Sequence, residues 1–470
     1  MHDVYDVAVI GAGVVGCAIA RELAQYNLRC VLIEAGSDVG VGTSKANTAL
    51  LHNGFDGKPG YLETRLVRRG YDLLSKYGAE VGIPIEHIGG LLVAWTDEQL
   101  QSLPEIRETA QINGAHNVDF ISLDELYRRE PYLGKGALGA LEVPSESIIC
   151  PFTTPLAYAT QAVINGVELC LNSPVQRIET GPDYHTVHYP GGAIRTRYVV
   201  NSAGLHADTI NGMMGHDEFH ITPRRGELII FDKMARGLVS HILMPVPNKV
   251  TKGVMISPTV FGNVLLGPTA EDLEDRSASQ TTDAGLNSIL KKGSQILPDL
   301  LNHEVTSTYA GLRSATEHGD YQIHLHPEQR YLCVGGIRST GLSASMAIAE
   351  YALEQLESAG LRLQRKAEFL SVHMPNIGEA FTRPYQSDAM IQANPDYGRI
   401  VCHCERVTRG EIIDAANAPI PARDFDALRR RTRAQMGRCQ GFFCAAEVTA
   451  ILAKASGQPV EHLLSLEQQA

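Results

Sequence analysis

The chain has 470 residues, of which 44% are apolar, and a formal net charge of -12 at pH 7. This length and apolar content suffice for large buried cores and, at about 150 residues per domain, suggest roughly two to four domains. The acidic balance argues against a general nucleic-acid-binding protein, although a local arginine site can still bind an anionic substrate.

Cysteine usage and apolar runs indicate the compartment. Nine cysteines are ordinary for a large cytosolic enzyme, so a disulfide framework is not expected. No apolar run approaches the roughly 18 residues of a membrane span, and no cleavable leader precedes the first predicted strand at Tyr5. We expect a cytoplasmic protein, and the sequence leaves open a peripheral association with the inner face of the membrane. Five scattered cysteines are expected to be small buried side chains: Cys17, Cys30, Cys150, Cys170 and Cys333.

Residues 6–34 predict a strand, a glycine turn, a helix and a second strand. An apolar run over 6–10 is followed at once by G-A-G-V-V-G at 11–16, and helical spacing continues over 17–26. A second apolar strand over 29–33 ends at Glu34. The complete β-α-β pattern with a terminal acid predicts a dinucleotide-binding unit.

Each conspicuous residue of this unit has a physical role. Gly11 allows the tight turn, Gly13 lets a pyrophosphate approach the backbone, and Gly16 lets the helix lie close on the strand. The phosphates would meet the helix N-terminus. The carboxylate of Glu34 can accept hydrogen bonds from an adenosine ribose. NAD and FAD share these features, so later segments must decide between them.

Three later segments resemble the flavin-contacting segments of the D-amino-acid-oxidase-like flavoprotein superfamily. Residues 42–47 follow the second strand, residues 198–204 form an apolar strand that runs into an Ala-Gly turn, and residues 330–342 form a strand and a turn before a helix from Ser343. The resemblance implies FAD as the cofactor and a substrate domain inserted between the segments. The implied contacts, besides Gly11, Gly13, Gly16 and Glu34, are Thr43, Ser44, Asn47, Ala203, Gly204, Gly336, Arg338, Ser339, Thr340, Gly341 and Leu342.

Further segments over roughly residues 4–355 resemble bacterial FAD-dependent glycerol-3-phosphate dehydrogenases of the anaerobic type. Relatives with a similar core oxidise L-2-hydroxyglutarate, and the scaffold alone does not select the substrate. The turn at 338–341 lacks the S-P-G sequence commonest in the glycerol-phosphate enzymes, which leaves the phosphate group in question. The segments that carry the resemblance include His52-Asn53-Gly54-Phe55-Asp56, Pro223-Arg224-Arg225-Gly226-Glu227, Leu266-Gly267-Pro268-Thr269 and Ala310-Gly311-Leu312-Arg313.

Oxidation of a secondary alcohol requires a base for the hydroxyl proton. His52, in a glycine-flanked loop after the flavin segment, is the candidate base, with a structural or flavin-orienting role as the alternative. The fork of Arg313 suits a carboxylate or a phosphate. Weaker substrate-binding candidates are Arg225, Lys252 and Thr269, although Arg225 and Lys252 can instead form surface ion pairs. The histidines His318, His324 and His326 are expected to be exposed rather than metal-ligating.

Four cysteines near the C-terminus have the spacing C-x-C-x34-C-x4-C: Cys402, Cys404, Cys439 and Cys444. Four thiolates suit tetrahedral iron or zinc. The spacing and the surrounding M-G-R-C-Q-G-x-x-C residues resemble the bacterioferritin-associated-ferredoxin-like domain, which implies a [2Fe-2S] cluster. Zinc and the absence of a metal are the alternatives.

The region around the cysteines is rich in basic residues and predicts helices. The capping box T-R-G-E begins a helix at Thr408, and a helical stretch after Cys444 ends near Ser456. The arginines would offset the negative charge of a cluster, or else form an exposed helix face or a docking surface for an acidic partner. They are Arg406, Arg409, Arg429, Arg430, Arg431, Arg433 and Arg438.

The expected fold class is α/β: an FAD-binding Rossmann-like domain with an inserted mixed α+β substrate domain, plus a small, mainly helical [2Fe-2S] domain. The oxidoreductase is expected over 1–385, a linker over 386–398 and the cluster domain over 399–470. Basic residues over 361–366 are expected to end a helix. Within the oxidoreductase, the FAD-binding segments are expected at about 1–80, 145–215 and 310–365, and the substrate-binding segments at about 81–144 and 216–309.

These features predict an FAD-dependent dehydrogenase of a small anionic secondary alcohol, either glycerol 3-phosphate or a 2-hydroxy acid. Electrons would pass through the cluster to a partner electron-transfer flavoprotein subunit or to quinone, because an oxidase would not need a cluster. One alternative is an amine or imino-acid dehydrogenase subunit, similar to opine and hydroxyproline dehydrogenases. Another is a zinc-bound C-terminal interaction module in a larger complex.

Overall fold

A computed structural model describes residues 4–247 and 253–467 as two large sheets, two small sheets and thirteen α-helices within those ranges. None of the helices it describes is long and apolar enough to cross a membrane. The helices are α1 (Val14–Leu23), α2 (Leu62–Val81), α3 (Asp97–Ile112), α4 (Leu123–Arg129), α5 (Thr153–Ile164), α6 (Ala207–Met213), α7 (Asp283–Ile296), α8 (Gly341–Ser358), α9 (Asp388–Ala393), α10 (Arg409–Asn417), α11 (Phe425–Thr432), α12 (Ala445–Ser456) and α13 (Val460–Glu467). The strands are β1 (Tyr5–Ile10), β2 (Cys30–Ile33), β3 (Leu50–Leu51), β4 (Ile85–Glu86), β5 (Gly90–Ala94), β6 (Asp119–Ile121), β7 (Gly139–Val143), β8 (Ser147–Ile149), β9 (Glu168–Cys170), β10 (Arg177–Thr180), β11 (His185–Tyr189), β12 (Gly192–Asn201), β13 (Thr222–Phe231), β14 (Ile242–Pro245), β15 (Met255–Pro258), β16 (Val264–Gly267), β17 (Glu271–Asp272), β18 (Val305–Ala315), β19 (Gln322–His326), β20 (Tyr331–Gly335), β21 (Ile400–Cys402) and β22 (Val407–Thr408).

The first sheet contains the predicted nucleotide-binding unit. Strands β9, β2, β1, β12 and β20 run parallel in that order, and β10, β11 and β19 extend the sheet with antiparallel pairs. Helices α1, α5, α8 and α2 pack together over one face. The β-α-β unit is confirmed, but α1 begins at Val14 rather than at residue 17. The parallel strands therefore end together at the edge where a dinucleotide is expected.

The second sheet is mixed and forms the inserted domain. Its order is β17-β13-β16-β15-β14-β5-β7-β6, with β18 paired along the other side of β13. Helix α7 packs against β13 and β16 and closes a separate apolar core. After strand β18 the chain leaves this sheet and returns to the first sheet as β19 and β20.

The C-terminal domain consists of the β21–β22 hairpin and four helices, α10 to α13, around their own apolar core. The predicted capping box at Thr408 is confirmed, with the Glu411 side chain accepting from the Thr408 amide. Residues 384–398, which include the whole of the expected linker, form α9 and two short 3₁₀ turns. This segment and the preceding Arg383 pack on the C-terminal domain through a buried Arg383–Glu411 ion pair of 2.7 Å and a hydrogen bond of 2.6 Å from Tyr397 to Asp414.

The basic residues after α8 do not end that helix. Helix α8 ends at Ser358. Residues 361–366 follow it in an extended segment, and Arg365 forms a β-bridge with Tyr26 of the first domain. The extended chain beyond Leu361 therefore lies along the first domain before it reaches the C-terminal one.

The arginine run of α11 joins the C-terminal domain to the first domain. Arg431 forms two hydrogen bonds, of 2.7 and 2.8 Å, to the carboxylate of Asp38, and Arg430 adds a third of 2.7 Å. Both arginines are 8% exposed and Asp38 is 2% exposed. The alternative of an exposed helix face is therefore wrong for these two residues, because their charges are buried at an interface.

A second arginine group joins the C-terminal domain to the inserted domain. The Arg433 guanidinium lies 4.1 Å from the ring centroid of Phe261 and donates to Glu405 at 2.8 Å. Arg438 donates to Asp232 at 2.6 Å. Arg433 is also buried, so it is not part of an exposed face either. The C-terminal domain thus contacts both large domains.

Candidate functional site

The glycine loop between β1 and α1 is closely packed. Gly11 has φ +97°, and a Cβ there would lie 2.6 Å from the Ser202 carbonyl oxygen. A Cβ at Gly16 would lie 1.8 Å from the carbonyl oxygen of Gly11. Both positions require glycine for the reasons that the sequence predicts: a tight turn and close packing of helix on strand. Gly13 is less confined, because a Cβ there would lie 3.3 Å from the Ser44 hydroxyl.

The carboxylate of Glu34 closes this loop at the end of β2. It accepts hydrogen bonds from the Ala12 amide at 2.6 Å and from the Gly36 amide at 2.8 Å, one on each oxygen. A carboxylate has about four acceptor positions, so both oxygens can accept further bonds from ribose hydroxyls. The residue is held where the sequence predicts an adenosine contact.

The flavin segments expected from sequence come together around the start of α1 and β18. The Ser44 hydroxyl accepts from the Val14 amide at 2.9 Å, and the Thr43 hydroxyl donates to the Leu312 carbonyl at 2.7 Å. A Cβ at Gly311 would lie 1.9 Å from the carbonyl oxygen of Ala46, so β18 presses directly on this segment. Asn47 folds back on the same segment, donating to the Ser44 carbonyl at 2.8 Å.

Open space remains beside these segments, as a bound dinucleotide requires. A Cβ added at Gly42 or at Gly204 would meet no atom within 4 Å. Ala203 and Gly204 begin a 3₁₀ turn directly after β12, at the same sheet edge as the glycine loop. The residues present therefore fit an FAD with its phosphates at α1.

The segment before α8 is held by an acid that the sequence did not reveal. Glu63 forms an ion pair with Arg338 and accepts from the Thr340 hydroxyl at 2.7 Å. Arg338 has φ +34° and bridges Ser314 of β18. Helix α8 begins two residues earlier than expected, at Gly341. The other predicted contacts of this segment, Gly336, Ser339 and Leu342, lie in the turn before α8 and in its first turn.

His52 follows β3 and lies against the start of α8. Its amide donates to the Ser343 hydroxyl at 2.8 Å. Its Nδ1 lies 3.0 Å from a carboxylate oxygen of Glu146, and Glu146 is 0% exposed. The other oxygen of Glu146 accepts from the Asn53 amide at 2.9 Å. A buried carboxylate beside Nδ1 favours a proton on that nitrogen, which makes Nε2 the basic one.

Arg313 of β18 lies between two of the predicted flavin segments. Leu312, which precedes it, accepts a hydrogen bond from Thr43, and Ser314, which follows it, forms a β-bridge with Arg338. Its guanidinium fits against Gly226, where a Cβ would lie 2.5 Å from Nη2. Within the described residues its side chain has no carboxylate partner and approaches only the Thr269 carbonyl, at 3.4 Å from Nη1. Burial, with the charge of Arg224, lowers the pKa of Arg313 to about 10.

The other predicted substrate residues lie near Arg313 but contact protein groups. Arg225 donates to Glu271 at 2.5 Å, so its charge is paired. The Thr269 hydroxyl bonds both the amide of Glu227, at 2.9 Å, and its carboxylate, at 3.1 Å. Lys252 lies outside the described residues. Of the predicted substrate residues that the structure describes, Arg313 is thus the one whose charge has no acidic partner.

The four C-terminal cysteines are brought together as two pairs. The thiol of Cys404 interacts with that of Cys439, and the thiol of Cys402 with that of Cys444. Burial alone would raise the pKa of Cys439, but hydrogen bonds from the Phe443 amide, the Cys404 thiol and the amides of the same loop lower it. Amides that stabilise a thiolate suit a ligand of an anionic cluster. Two pairs of thiols match the two irons of a [2Fe-2S] cluster.

One side of this cysteine site faces solvent. Phe442 and Phe443, between the last two cysteines, are 83% and 81% exposed. Their rings form an edge-to-face pair with centroids 5.1 Å apart. The opposite side meets the large domains, where Gln440 donates to the Thr306 carbonyl of β18 at 3.1 Å. The site therefore lies between the oxidoreductase and the surface.

Two family models match the chain. One, described as FAD dependent oxidoreductase, matches residues 6–355, and the other, described as BFD-like [2Fe-2S] binding domain, matches residues 400–454. The glycerol 3-phosphate dehydrogenase of Caloramator mitchellensis is 37% identical over 456 residues, which cover 96% of this chain and 95% of that protein. L-2-hydroxyglutarate dehydrogenase of Indibacter alkaliphilus is 30% identical over 57% of this chain and 68% of its own length.

A solved structure also resembles the chain. Dithionite-reduced L-alpha-glycerophosphate oxidase from Mycoplasma pneumoniae with FAD bound has a TM-score of 0.74 at 27% identity. The match covers 80% of this chain and 100% of that one. The similarity therefore includes an oxidase whose whole length is matched by only part of this chain.

Proposed function

Since this chain belongs to the FAD dependent oxidoreductase family and carries a BFD-like [2Fe-2S] binding domain, we propose that it oxidises glycerol 3-phosphate and delivers the electrons to a partner protein. The predicted α/β fold, the FAD and [2Fe-2S] cofactors and the class of FAD-dependent dehydrogenase are confirmed by these matches. FAD supplies the acceptor for a hydride from the alcohol carbon, and the cluster carries one electron at a time.

The observation that carries the substrate proposal is the unpaired charge of Arg313. The half-buried Arg313 guanidinium has lost part of its hydration without gaining an acidic partner among the described residues, and a bound anion would supply that partner. The nearby Arg224 adds positive charge, as the lowered pKa of Arg313 reflects. The planar fork of Arg313 would hold the phosphate in a fixed orientation. The relative that matches nearly the whole chain is a glycerol 3-phosphate dehydrogenase, which favours phosphate over carboxylate.

His52 would accept the hydroxyl proton of the substrate. The Glu146 carboxylate, 3.0 Å from Nδ1, would orient the ring and stabilise the imidazolium that forms. The amide of His52 is tied to Ser343 in the first turn of α8, so the base is fixed to the predicted flavin segment. Glu146 thus acts through His52 and is a positioning residue.

The cysteine site would pass electrons out of the molecule at the exposed Phe442–Phe443 pair. Two aromatic side chains more than four-fifths exposed, between two cluster ligands, suit docking of a partner electron-transfer protein with an apolar contact surface. Because the cluster ligands lie at this surface, the distance from the cluster to a partner docked on the two phenylalanines would be short. Transfer to quinone instead would need no such protein contact.

Anaerobic flavin bleaching tests the substrate. Glycerol 3-phosphate should bleach the flavin absorbance faster, and at lower concentration, than L-2-hydroxyglutarate, L-proline or glycerol. Glycerol is the matched control because it lacks only the phosphate. Faster bleaching by L-2-hydroxyglutarate would show that the substrate is a 2-hydroxy acid rather than glycerol 3-phosphate. Bleaching by L-proline alone would show that the reaction is imino-acid oxidation rather than alcohol oxidation.

Two variants test the electron path. Cys439→Ser should lose the cluster absorbance but keep FAD and single-turnover reduction by substrate. The double variant Phe442→Ser/Phe443→Ser should keep the cluster and dye reduction, while reduction of a one-electron protein acceptor such as cytochrome c falls about tenfold. Phe120→Ser, at another exposed aromatic residue, is the control. An equal fall in cytochrome c reduction by the Phe120 variant would show that the Phe442–Phe443 pair is not the docking surface.

A further inference from the structure

A histidine and glutamate cluster lies on the first sheet, on elements that the proposed reaction does not use. His216 and Glu218 follow α6, and His326 ends β19. One ligand atom from each residue lies within 4.8 Å of the others. His326 Nε2 is 3.2 Å and His216 Nδ1 is 3.7 Å from the same carboxylate oxygen of Glu218. The two imidazole rings stack with centroids 3.5 Å apart.

The surrounding hydrogen bonds orient His216 as a metal ligand. Gln329 donates its amide hydrogen to the Met214 carbonyl at 3.3 Å, which leaves its carbonyl oxygen toward His216. That oxygen lies 2.6 Å from Nε2 of His216 and accepts the Nε2 proton. The lone pair of His216 therefore lies on Nδ1, the nitrogen that faces Glu218. A ligating histidine is commonly held by a hydrogen bond to its other nitrogen in this way.

Glu218 is held in the same manner, and His326 turns Nε2 toward it. The second oxygen of Glu218 accepts from the fully buried Asn211 at 2.6 Å, which leaves Oε1 to face the two histidines. The Nε2 atom of His326 is inaccessible to solvent and lacks hydrogen-bond geometry within the described part of the chain.

We propose that His216, Glu218 and His326 bind a divalent transition-metal ion, with zinc the best fit. Two imidazole nitrogens and one carboxylate oxygen are the ligand set of open zinc sites, in which water takes the fourth position. Bond lengths of about 2.0–2.1 Å in a tetrahedron separate ligand atoms by about 3.3 Å. The distances from Glu218 to the two imidazole nitrogens bracket that value, at 3.2 and 3.7 Å. Magnesium and calcium prefer oxygen ligands and are excluded by the two imidazoles.

This zinc site would stabilise the first sheet where β12 and β20 lead to the predicted flavin segments. Asn211 accepts from the Tyr331 hydroxyl at 3.0 Å, and the Tyr331 hydroxyl accepts from Asn201 at 2.9 Å. Asn201 in turn accepts from the Ala203 amide at the predicted flavin turn. An ion bound to Glu218 would fix one end of this chain of hydrogen bonds. The site is therefore structural, and its occupancy does not depend on the proposed substrate.

Zinc retention by the holoenzyme tests the site. Protein with FAD and a full complement of cluster iron is washed with chelator, dialysed against Zn²⁺ and analysed for zinc and iron together. The iron content shows that the four cysteines are occupied and cannot hold the zinc. The native chain should retain about one zinc per chain. His326→Phe and Glu218→Gln should retain none, whereas His324→Phe, two residues from His326 on the same strand, should bind as the native chain does.

Two further measurements make the result decisive. Gln329→Ala should weaken zinc binding by about 10- to 100-fold, because it removes only the group that orients His216. Zinc should raise the Tm of the native chain and of His324→Phe but leave that of His326→Phe unchanged. Equal zinc retention by the native chain and His326→Phe, or loss of zinc in His324→Phe alone, would overturn the proposal. Unchanged binding in Gln329→Ala would overturn the assigned orientation of His216.

Discussion

Arg431 is buried and Arg313 is half-buried, and the surroundings of their two guanidinium groups are opposite. Arg431 meets both oxygens of Asp38 at 2.7 and 2.8 Å and also donates to two backbone carbonyls. Among the described residues Arg313 reaches only the Thr269 carbonyl, at 3.4 Å or more, and Arg224, opposite it on β13, adds a second positive charge. The described chain neutralises the buried guanidinium of Arg431 and leaves the half-buried one of Arg313 without an acid.

This difference separates a structural charge from a functional one. A buried ion pair with every hydrogen bond satisfied fixes an interface, and here it joins the C-terminal domain to the first domain. A half-buried arginine whose partner must come from outside marks a binding site for an anion. The same residue type therefore serves attachment at Arg431 and substrate recognition at Arg313.

The largest effect is expected for Arg313→Gln. Loss of the charge should lower kcat/KM for glycerol 3-phosphate by about 1,000-fold, equivalent to about 4 kcal/mol, because the phosphate loses its charged partner in a desolvated site. Steady-state dye reduction measures this change. The Tm without substrate should not fall, since the variant removes a half-buried charge that has no acidic partner among the described residues. A lower Tm with unchanged kcat/KM would assign Arg313 to the structural class instead.

Asp38→Asn should give the reverse pattern. It leaves two buried arginines without a carboxylate, so the free energy of unfolding should fall by about 3 kcal/mol. Single-turnover flavin reduction by substrate should stay within about twofold, while electron transfer to the cluster slows as the C-terminal domain loosens. Ser37→Ala is the matched control, because it removes only the exposed 3.0 Å contact between Ser37 and Asp424 at the same interface. Stopped-flow absorbance of flavin and cluster resolves the two steps.

The pH dependence of the same contact follows from the pKa of Asp38. Burial would raise this pKa, but the hydrogen bond and charge of Arg431, together with Arg430, outweigh burial and lower it below its ordinary value of 3.8. The stability from Asp38 is therefore fully present above pH 3.8 and is lost as the pH falls through the lower folded value. Each unit of depression corresponds to about 1.4 kcal/mol.

Acid pH-jump experiments on the holoenzyme, followed by the fluorescence of released FAD, test this expectation. The native chain and Asp38→Asn should differ by a constant amount in unfolding rate from pH 7 to pH 5. The difference should shrink only below about pH 4, where Asp38 becomes protonated. A difference that disappears near pH 6 would mean that another group controls the contact.

Short-range features of the fold could be predicted from sequence. The glycine turn, the acid at the end of β2, the capping box at Thr408 and the paired cysteine motifs each depend on residues close together in the chain. Local sterics and hydrogen bonding determine them with little help from the rest of the molecule. The choice of FAD and of a [2Fe-2S] cluster came instead from the resemblance of longer segments to known families.

Long-range pairs could not be predicted in the same way. Asp38 and Arg431 lie 393 residues apart, and the sequence around Asp38 is a polar loop with no motif. Glu146 beside His52 and Glu63 beside Arg338 gave no local signal either. The sequence predicts an exposed His326, but this residue packs with His216 and Glu218 because the chain after α6 meets β19 on the sheet. Such pairs are set by tertiary packing, which periodicity does not encode.

The smallest effect is expected for Arg224→Gln, which tests whether position alone distinguishes Arg313. Arg224 is opposite Arg313 in the β13–β18 pair, but its side chain is 43% exposed and bonds Asp272 at 2.5 Å. The variant should change stability by less than about 1 kcal/mol and raise KM for glycerol 3-phosphate by about two- to fivefold, an effect that added salt should suppress. A salt-independent loss as large as that of Arg313→Gln would mean that both arginines contact the phosphate. In that case the difference in exposure would not distinguish Arg313 from Arg224 in function, and the anion site would extend across both β13 and β18.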